Sequence, residues 1–354
     1  MLLGGIVLFG IYVRISGIKF GLPDLIHPDE TRIILDSMSM GQRMSLIPED
    51  INYPLFHKYF LLITYGAYFF AGLLLDIFKD KTDFAVKFLT DPSVIIYISR
   101  VVTSILGTLT IFIAYYWGKM IEKSRIVGLW AALFVALEWQ LVFESQYAVH
   151  QTLSGMSSLL AFLGMCLMCI NQKRMSYIVG GLTIGFAVAS HQTTILLFPG
   201  ILFLFISDIS QKNADRSLVL KNWALYTTLA IIIGVTGNLN WVFRFDRSLN
   251  FFSQGSGAGQ VAFSSAPFFS YNVPSIAYWY FSELIKRDYF IGVMVLVATF
   301  MAIVRRRKID VLYLIVVLTY FLFFYKWAYR WMHLFVGLLP ISMVYAAKES
   351  FYIG

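Results

Sequence analysis

Apolar runs long enough to cross about 30 Å of hydrocarbon recur near residues 2–18, 57–78, 94–118, 126–143, 152–170, 221–243, 288–304, 310–327 and 331–347. A further stretch, 175–207, is interrupted by Ser190-His191-Gln192-Thr193-Thr194 and reads as two short helices meeting at a polar turn. Lys and Arg mark one side of the membrane, because short cytoplasmic loops retain them. They gather at Lys119–Arg125, Lys173-Arg174, Lys212–Lys221 and Arg305–Lys308. These turns share one side only if 57–78 does not cross. That run is therefore expected to lie in or dip into the outer leaflet, inside a long outer loop from 19 to 93. The pattern predicts an all-α polytopic membrane protein of about ten crossings. One transmembrane domain covers 1–354, with outer loops 19–93 and 244–287, both ends cytoplasmic and no separate soluble domain.

Composition agrees. Of 354 residues, 58% are hydrophobic and 14% charged, against roughly 25% charged in soluble chains. The net charge of +8 is accounted for by the cytoplasmic turns and implies no nucleic-acid partner. Cys166 and Cys169 stand alone at the end of one span and form no disulfide framework. Residues 2–18 lack a basic leader and a small-residue cleavage site, and read as a retained anchor. No Gly-rich phosphate loop and no strand–helix alternation occurs, so a nucleotide-activated substrate has no domain to bind it.

The outer turns then hold a concentration of chemistry. After the first apolar run comes His27-Pro28-Asp29-Glu30, where Pro28 suits the first turn of a helix and the two acids its positive end. Adjacent acids lie about 100° apart on a helix, so one can face a reaction centre while the other holds the loop. Further along stand Tyr53, His57 and Lys58; then Glu144, Tyr147, His150 and Gln151; then His191; then Arg244 and Arg247; then Lys326, Arg330 and His333. All five histidines fall on this face. Ionisable groups at membrane depth are costly and mark function. A carboxylate opposed by arginines and lysines suits transfer from a phosphate-bearing lipid. Asp29 would take a proton from an attacking hydroxyl, and Arg244, Arg247, Lys326 and Arg330 would hold the leaving phosphate.

The motifs His27-Pro-Asp-Glu30, Asn52-Tyr-Pro-Leu-Phe-His57, Arg100–Thr110, Ser145–Gln151, Gly181–Pro199 and Arg330–Pro340 together resemble the GT-C superfamily of membrane glycosyltransferases. The resemblance is to its branch of protein O-mannosyltransferases and aminoarabinose transferases. It implies a GT-C-like helical bundle with amphipathic helices in the first outer loop. The implied reaction is inverting transfer of a sugar from a polyprenyl-phosphate donor to a protein, lipid or glycan acceptor, outside the cytoplasm and in the plasma or inner membrane. Asp29 matches the family's catalytic acid and Glu30 its acidic neighbour. His191 stands where relatives often carry a phosphate-binding Lys. His27, Tyr53, His57, Glu144, Tyr147, His150, Gln151 and His333 would line the substrate pocket. No cofactor beyond the lipid-linked donor is implied. A divalent metal is left open, with Gln151 standing where relatives often have Asp. A protein partner would supply acceptor recognition. Two rival readings are a flippase for lipid-linked sugars, which predicts charge along a mid-membrane path, and a non-catalytic scaffold subunit.

Overall fold

The computed structural model describes residues 1–24, 27–48, 53, 55–212, 215–244, 273–324 and 332–353. Helices and their connections account for all of these, with no strand among the described residues.

The chain opens with α1 (Leu2–Ile15), followed by α2 (Pro28–Gln42), α3 (Phe56–Leu74) and α4 (Lys81–Thr90). Local chemistry sets their starts. The His27 ring accepts the Asp29 N–H at 3.2 Å, Pro28 opens α2, and Asp29 and Glu30 occupy its first turn. Asp80 caps α4 through the N–H groups of Thr82 and Asp83, both at 2.8 Å.

The bundle continues with α5 (Ser93–Ile121), α6 (Arg125–Leu137), α7 (Trp139–Ser145), α8 (Gln151–Asn171) and α9 (Arg174–Ser190). A 3₁₀ turn (Gln192–Leu197) leads into α10 (Phe198–Ile209), then α11 (Arg216–Thr236) and α12 (Leu239–Phe243). After these come α13 (Val273–Arg287), α14 (Tyr289–Arg305), α15 (Lys308–Phe324), a second 3₁₀ turn (Met332–Phe335) and α16 (Leu339–Ile353). The polar break expected in 175–207 is present, with His191 in extended backbone between α9 and the 3₁₀ turn.

Among the described residues, four segments are long and apolar enough to cross a membrane: α5, α8, α11 and the 3₁₀ turn joined to α10. The count becomes five if α6 and α7, bent by 59° at Glu138, form one span. The expected ten crossings are therefore more than helix length alone supports. Several predicted spans became helices of 14 to 17 residues, α1, α14, α15 and α16, which at 1.5 Å per residue fall short of 30 Å of hydrocarbon.

Glycines allow α9 to approach its neighbours closely. A Cβ at Gly181 would lie 2.6 Å from the Tyr226 carbonyl oxygen, and one at Gly185 2.9 Å from that of Ala230, both on α11. Small residues at such contacts are how membrane helices gain packing without a hydrophobic drive between them. Arg14 is buried at the end of α1 and donates to the carbonyls of Val135 (3.0 Å) and Ala136 (3.2 Å). A cation thus satisfies the last carbonyls of α6 where its dipole is negative.

At the far end of the bundle, the cations of the turn between α14 and α15 and of α16 are paired with acids. Lys348, wholly buried, reaches Glu122 (3.1 Å) and Asp310 (3.4 Å). Arg307 binds Asp310 at 2.9 Å, Arg305 binds Glu349 at 2.6 Å, and Lys308 lies 3.3 Å from Asp208. Each of these cations is matched by an acid.

Candidate functional site

The two acids of the first turn of α2 point apart, as their spacing requires. Glu30 is fully buried. Arg100 of α5 grips it in a fork, Nε to Oε1 and Nη2 to Oε2, both at 2.7 Å. The Ala148 N–H adds a third bond to Oε1 at 2.9 Å. Arg100 uses Nη1 on the carbonyls of Ile18 (2.9 Å) and Phe20 (2.7 Å), and its guanidinium lies 5.4 Å over the Tyr147 ring. One ion pair thereby joins the end of the first apolar helix, the start of α2, α5 and the turn between α7 and α8. Arg100 was legible only as part of a motif, not as a site residue. Its signal was an arginine inside an apolar run, which needs an acid to be buried at all.

Asp29 turns the other way and is partly exposed. The Tyr53 hydroxyl donates to its Oδ1 at 2.9 Å. Tyr53 also begins a stair of rings. Its centroid is 4.3 Å from that of His150, and His150 is stacked on His191 at 4.6 Å with planes 10° apart. His27 packs 5.5 Å from Tyr147. His57, His191 and His333 all lie near enough for their charges to act on His150, and Asp29 near enough to act on His191 and His333. Histidines from distant segments thus come within electrostatic reach of one another.

Burial holds these rings neutral. It lowers His191 and His333 to about 4, and with the neighbouring His191 it lowers His150 well below the ordinary imidazole value. Desolvation moves His191 out of the range near neutrality in which histidine ordinarily titrates. Its Nδ1 is also engaged by Thr193, with the hydroxyl at 2.6 Å and the N–H at 3.1 Å. Among the described residues no three His, Cys, Asp or Glu side chains are disposed as metal ligands.

Several polar atoms here are buried without a hydrogen-bond partner: both His57 nitrogens, His150 Nδ1, Gln151 Oε1 and Glu144 Oε2. Glu144 is oriented through its other oxygen, which accepts from Gln140 at 2.6 Å; Gln140 in turn accepts from Arg287 at 2.9 Å. The guanidinium of Arg287 sits 4.4 Å over Trp139. Beside His57, Lys58 is buried against Asp36 at 2.7 Å. Arg244 is half-buried at the C-cap of α12. Arg247, Lys326 and Arg330 lie outside the described residues.

The family model for dolichyl-phosphate-mannose-protein mannosyltransferase matches residues 55–249, more than half of the chain. The chain belongs to that family. No curated protein sequence is significantly similar to it. The mannosyltransferase-family chain shares its fold with ArnT from Cupriavidus metallidurans, with TM-score 0.66 and 16% identity over 98% of this chain and 59% of that one. The same protein bound to undecaprenyl phosphate matches equally well, over 60% of its length. The Archaeoglobus fulgidus oligosaccharyltransferase matches with TM-score 0.63 and 14% identity, over 99% of this chain and 50% of that one. The chain therefore spans between half and three-fifths of these solved neighbours. It is an integral membrane protein with a GT-C glycosyltransferase fold.

Proposed function

We propose that the chain transfers a sugar from a polyprenyl-phosphate donor to an acceptor on the extracytoplasmic face, with Asp29 as general base. The observation that carries this reading is the division of labour in the first turn of α2. Glu30 has both oxygens engaged by Arg100 and Ala148, whereas Asp29 is partly exposed and oriented by Tyr53. Glu30 is then a positioning residue and Asp29 the group that meets substrate. The acceptor hydroxyl gives its proton to Asp29; its oxygen forms the new bond to the anomeric carbon as the bond from that carbon to the phosphate oxygen breaks. Polyprenyl phosphate leaves with the electron pair. Arg244, Arg247, Lys326 and Arg330 are the cations proposed to hold that phosphate. His27, Tyr147 and His333 line the approach to Asp29. Family membership supports a sugar donor, and the neighbour bound to undecaprenyl phosphate supports a polyprenyl carrier. The lysines and arginines of the opposite turns support a site outside the cytoplasm, and the membrane in this reading is the plasma or inner membrane. The acceptor is a protein, lipid or glycan, presented by a partner protein.

Sugar release from a panel of polyprenyl-phosphate sugars tests this, comparing wild type with Asp29→Asn. Turnover by the wild type that Asp29→Asn removes, with the fold intact, is the expected result. Equal turnover by both proteins would overturn the role of Asp29.

A further inference from the structure

At the end of the bundle opposite Asp29, a cavity of about 180 Å³ opens where the ends of α8 and α10 meet the starts of α9 and α11. Its polar wall is Gln172, Tyr177, Asp208, Gln211, Asp215 and Asn222. Asp208 holds that wall together. Its Oδ1 accepts from Gln172 Nε2 at 2.9 Å and Lys308 Nζ at 3.3 Å. Its Oδ2 accepts from the Tyr177 hydroxyl at 2.7 Å and Trp223 Nε1 at 3.1 Å. Both oxygens are taken, so Asp208 shapes the cavity and leaves ligand contact to its neighbours.

What those neighbours offer is mostly acceptor. Gln172 donates through its nitrogen, which leaves its oxygen. Asp215 caps α11 through Oδ1, on the N–H groups of Ser217 (2.9 Å) and Leu218 (3.3 Å), which leaves Oδ2. Asn222 is 7% exposed and makes no side-chain hydrogen bond among the described residues. A buried amide without a partner is costly, and this one lines the cavity. A carboxylate oxygen and two amide oxygens around one space suit a primary ammonium, which has three N–H donors and no acceptor. A metal ion matches less well, since among the described residues no three His, Cys, Asp or Glu side chains are disposed as ligands.

The surroundings supply the rest of the ligand. Leu218 and Val219 also line the cavity, and the apolar stretches ending in α10 and α11 are only 33% and 22% buried. These helices present apolar sides that the bundle leaves to acyl chains. Lys173, Lys212 and Arg216 are exposed and each adjoins a lining residue in sequence. They form no ion pair among the described residues, unlike the cations of the turn between α14 and α15. Basic groups at a membrane surface attract lipid phosphates.

We propose that this cavity binds a phospholipid whose head group ends in a primary amine. The ammonium sits among Gln172, Asp215 and Asn222, the phosphate meets the cations of the rim, and the acyl chains run along α10 and α11. The site is separate from Asp29 and does not depend on the transferase reading.

The test uses the full chain in detergent micelles, with bound lipid counted by native mass spectrometry. The probes are phosphatidylethanolamine, phosphatidylcholine and phosphatidylglycerol with identical acyl chains. Phosphatidylcholine keeps the positive charge but has no N–H to donate, and phosphatidylglycerol has no amine. One phosphatidylethanolamine per chain should bind about tenfold more tightly than either, the difference a charge-assisted hydrogen bond makes. Asp215→Asn keeps the helix cap and removes the charge, and should erase that preference with the fold intact. Asn222→Leu removes the buried amide and should weaken phosphatidylethanolamine binding several-fold. Equal binding of phosphatidylethanolamine and phosphatidylcholine by the wild type would overturn the site. So would a preference that survives Asp215→Asn, or wild-type affinity in Asn222→Leu. Tighter binding of phosphatidylglycerol than of phosphatidylethanolamine would reduce the site to attraction by the basic rim, and would overturn the amine pocket as well.

Discussion

Asp29 and Glu30 are neighbours in sequence with separate uses, and the reason is geometric. On a helix start they diverge by about 100°, so one enters the packed interface and the other does not. The histidines show how burial decides charge at the same scale. His191 and His333 are lowered to about 4 by desolvation, below the value near 6.5 of an unfolded chain. Below about 6.5 the unfolded state takes up protons that the native state resists, so this contribution to stability is lost as pH falls toward 4. Thermal unfolding in detergent should therefore show a Tm that is level above pH 6.5 and falls between 6.5 and 4. A Tm that rises on acidification would contradict neutral rings.

Elements are held in register by few contacts of high consequence. The Glu30–Arg100 pair fastens α2 to α5 and, through Ala148, to the start of α8. Removing one member of a buried pair leaves the other charge uncompensated, at about 3–5 kcal/mol. Arg100→Ala is expected to destabilise by that amount and to lower activity as the first turn of α2 loosens. Arg100→Lys keeps the charge but loses the fork, and should fall between. Urea unfolding of both variants in detergent checks this order. Arg100→Ala with wild-type stability would mean that the pair does not hold the elements together.

Across the whole molecule, charge is segregated to two ends with different purposes. The Asp29 end concentrates histidines and unpaired polar atoms. At the far end, Lys348, Arg305, Arg307 and Lys308 are each matched to an acid. That network joins the turn after α5, the turn between α14 and α15, and α16. Asp310 serves both Lys348 and Arg307. Asp310→Ala is expected to cost about 3–5 kcal/mol, read as a lower Tm, while donor binding at the opposite end changes little in the protein that remains folded. A full loss of donor binding with an unchanged Tm would show the two ends to be coupled instead.

The sequence by itself determined the membrane class, the helical content, the break at His191 and the presence of histidines in the polar turns, because hydrophobic runs and positional charge are local properties. It also singled out Asp29 and its neighbour. It did not fix the number of crossings, since apolar runs such as 331–347 spread into a 3₁₀ turn and a short helix. Nor did it pair Glu30 with Arg100, 70 residues away, or match the basic turns with Glu122, Asp208, Asp310 and Glu349. Only the tertiary structure decided those partners, and with them which acid is buried and which stays partly exposed. A charge inside a bundle must find its counterpart in three dimensions, and separation along the chain gives no measure of that distance.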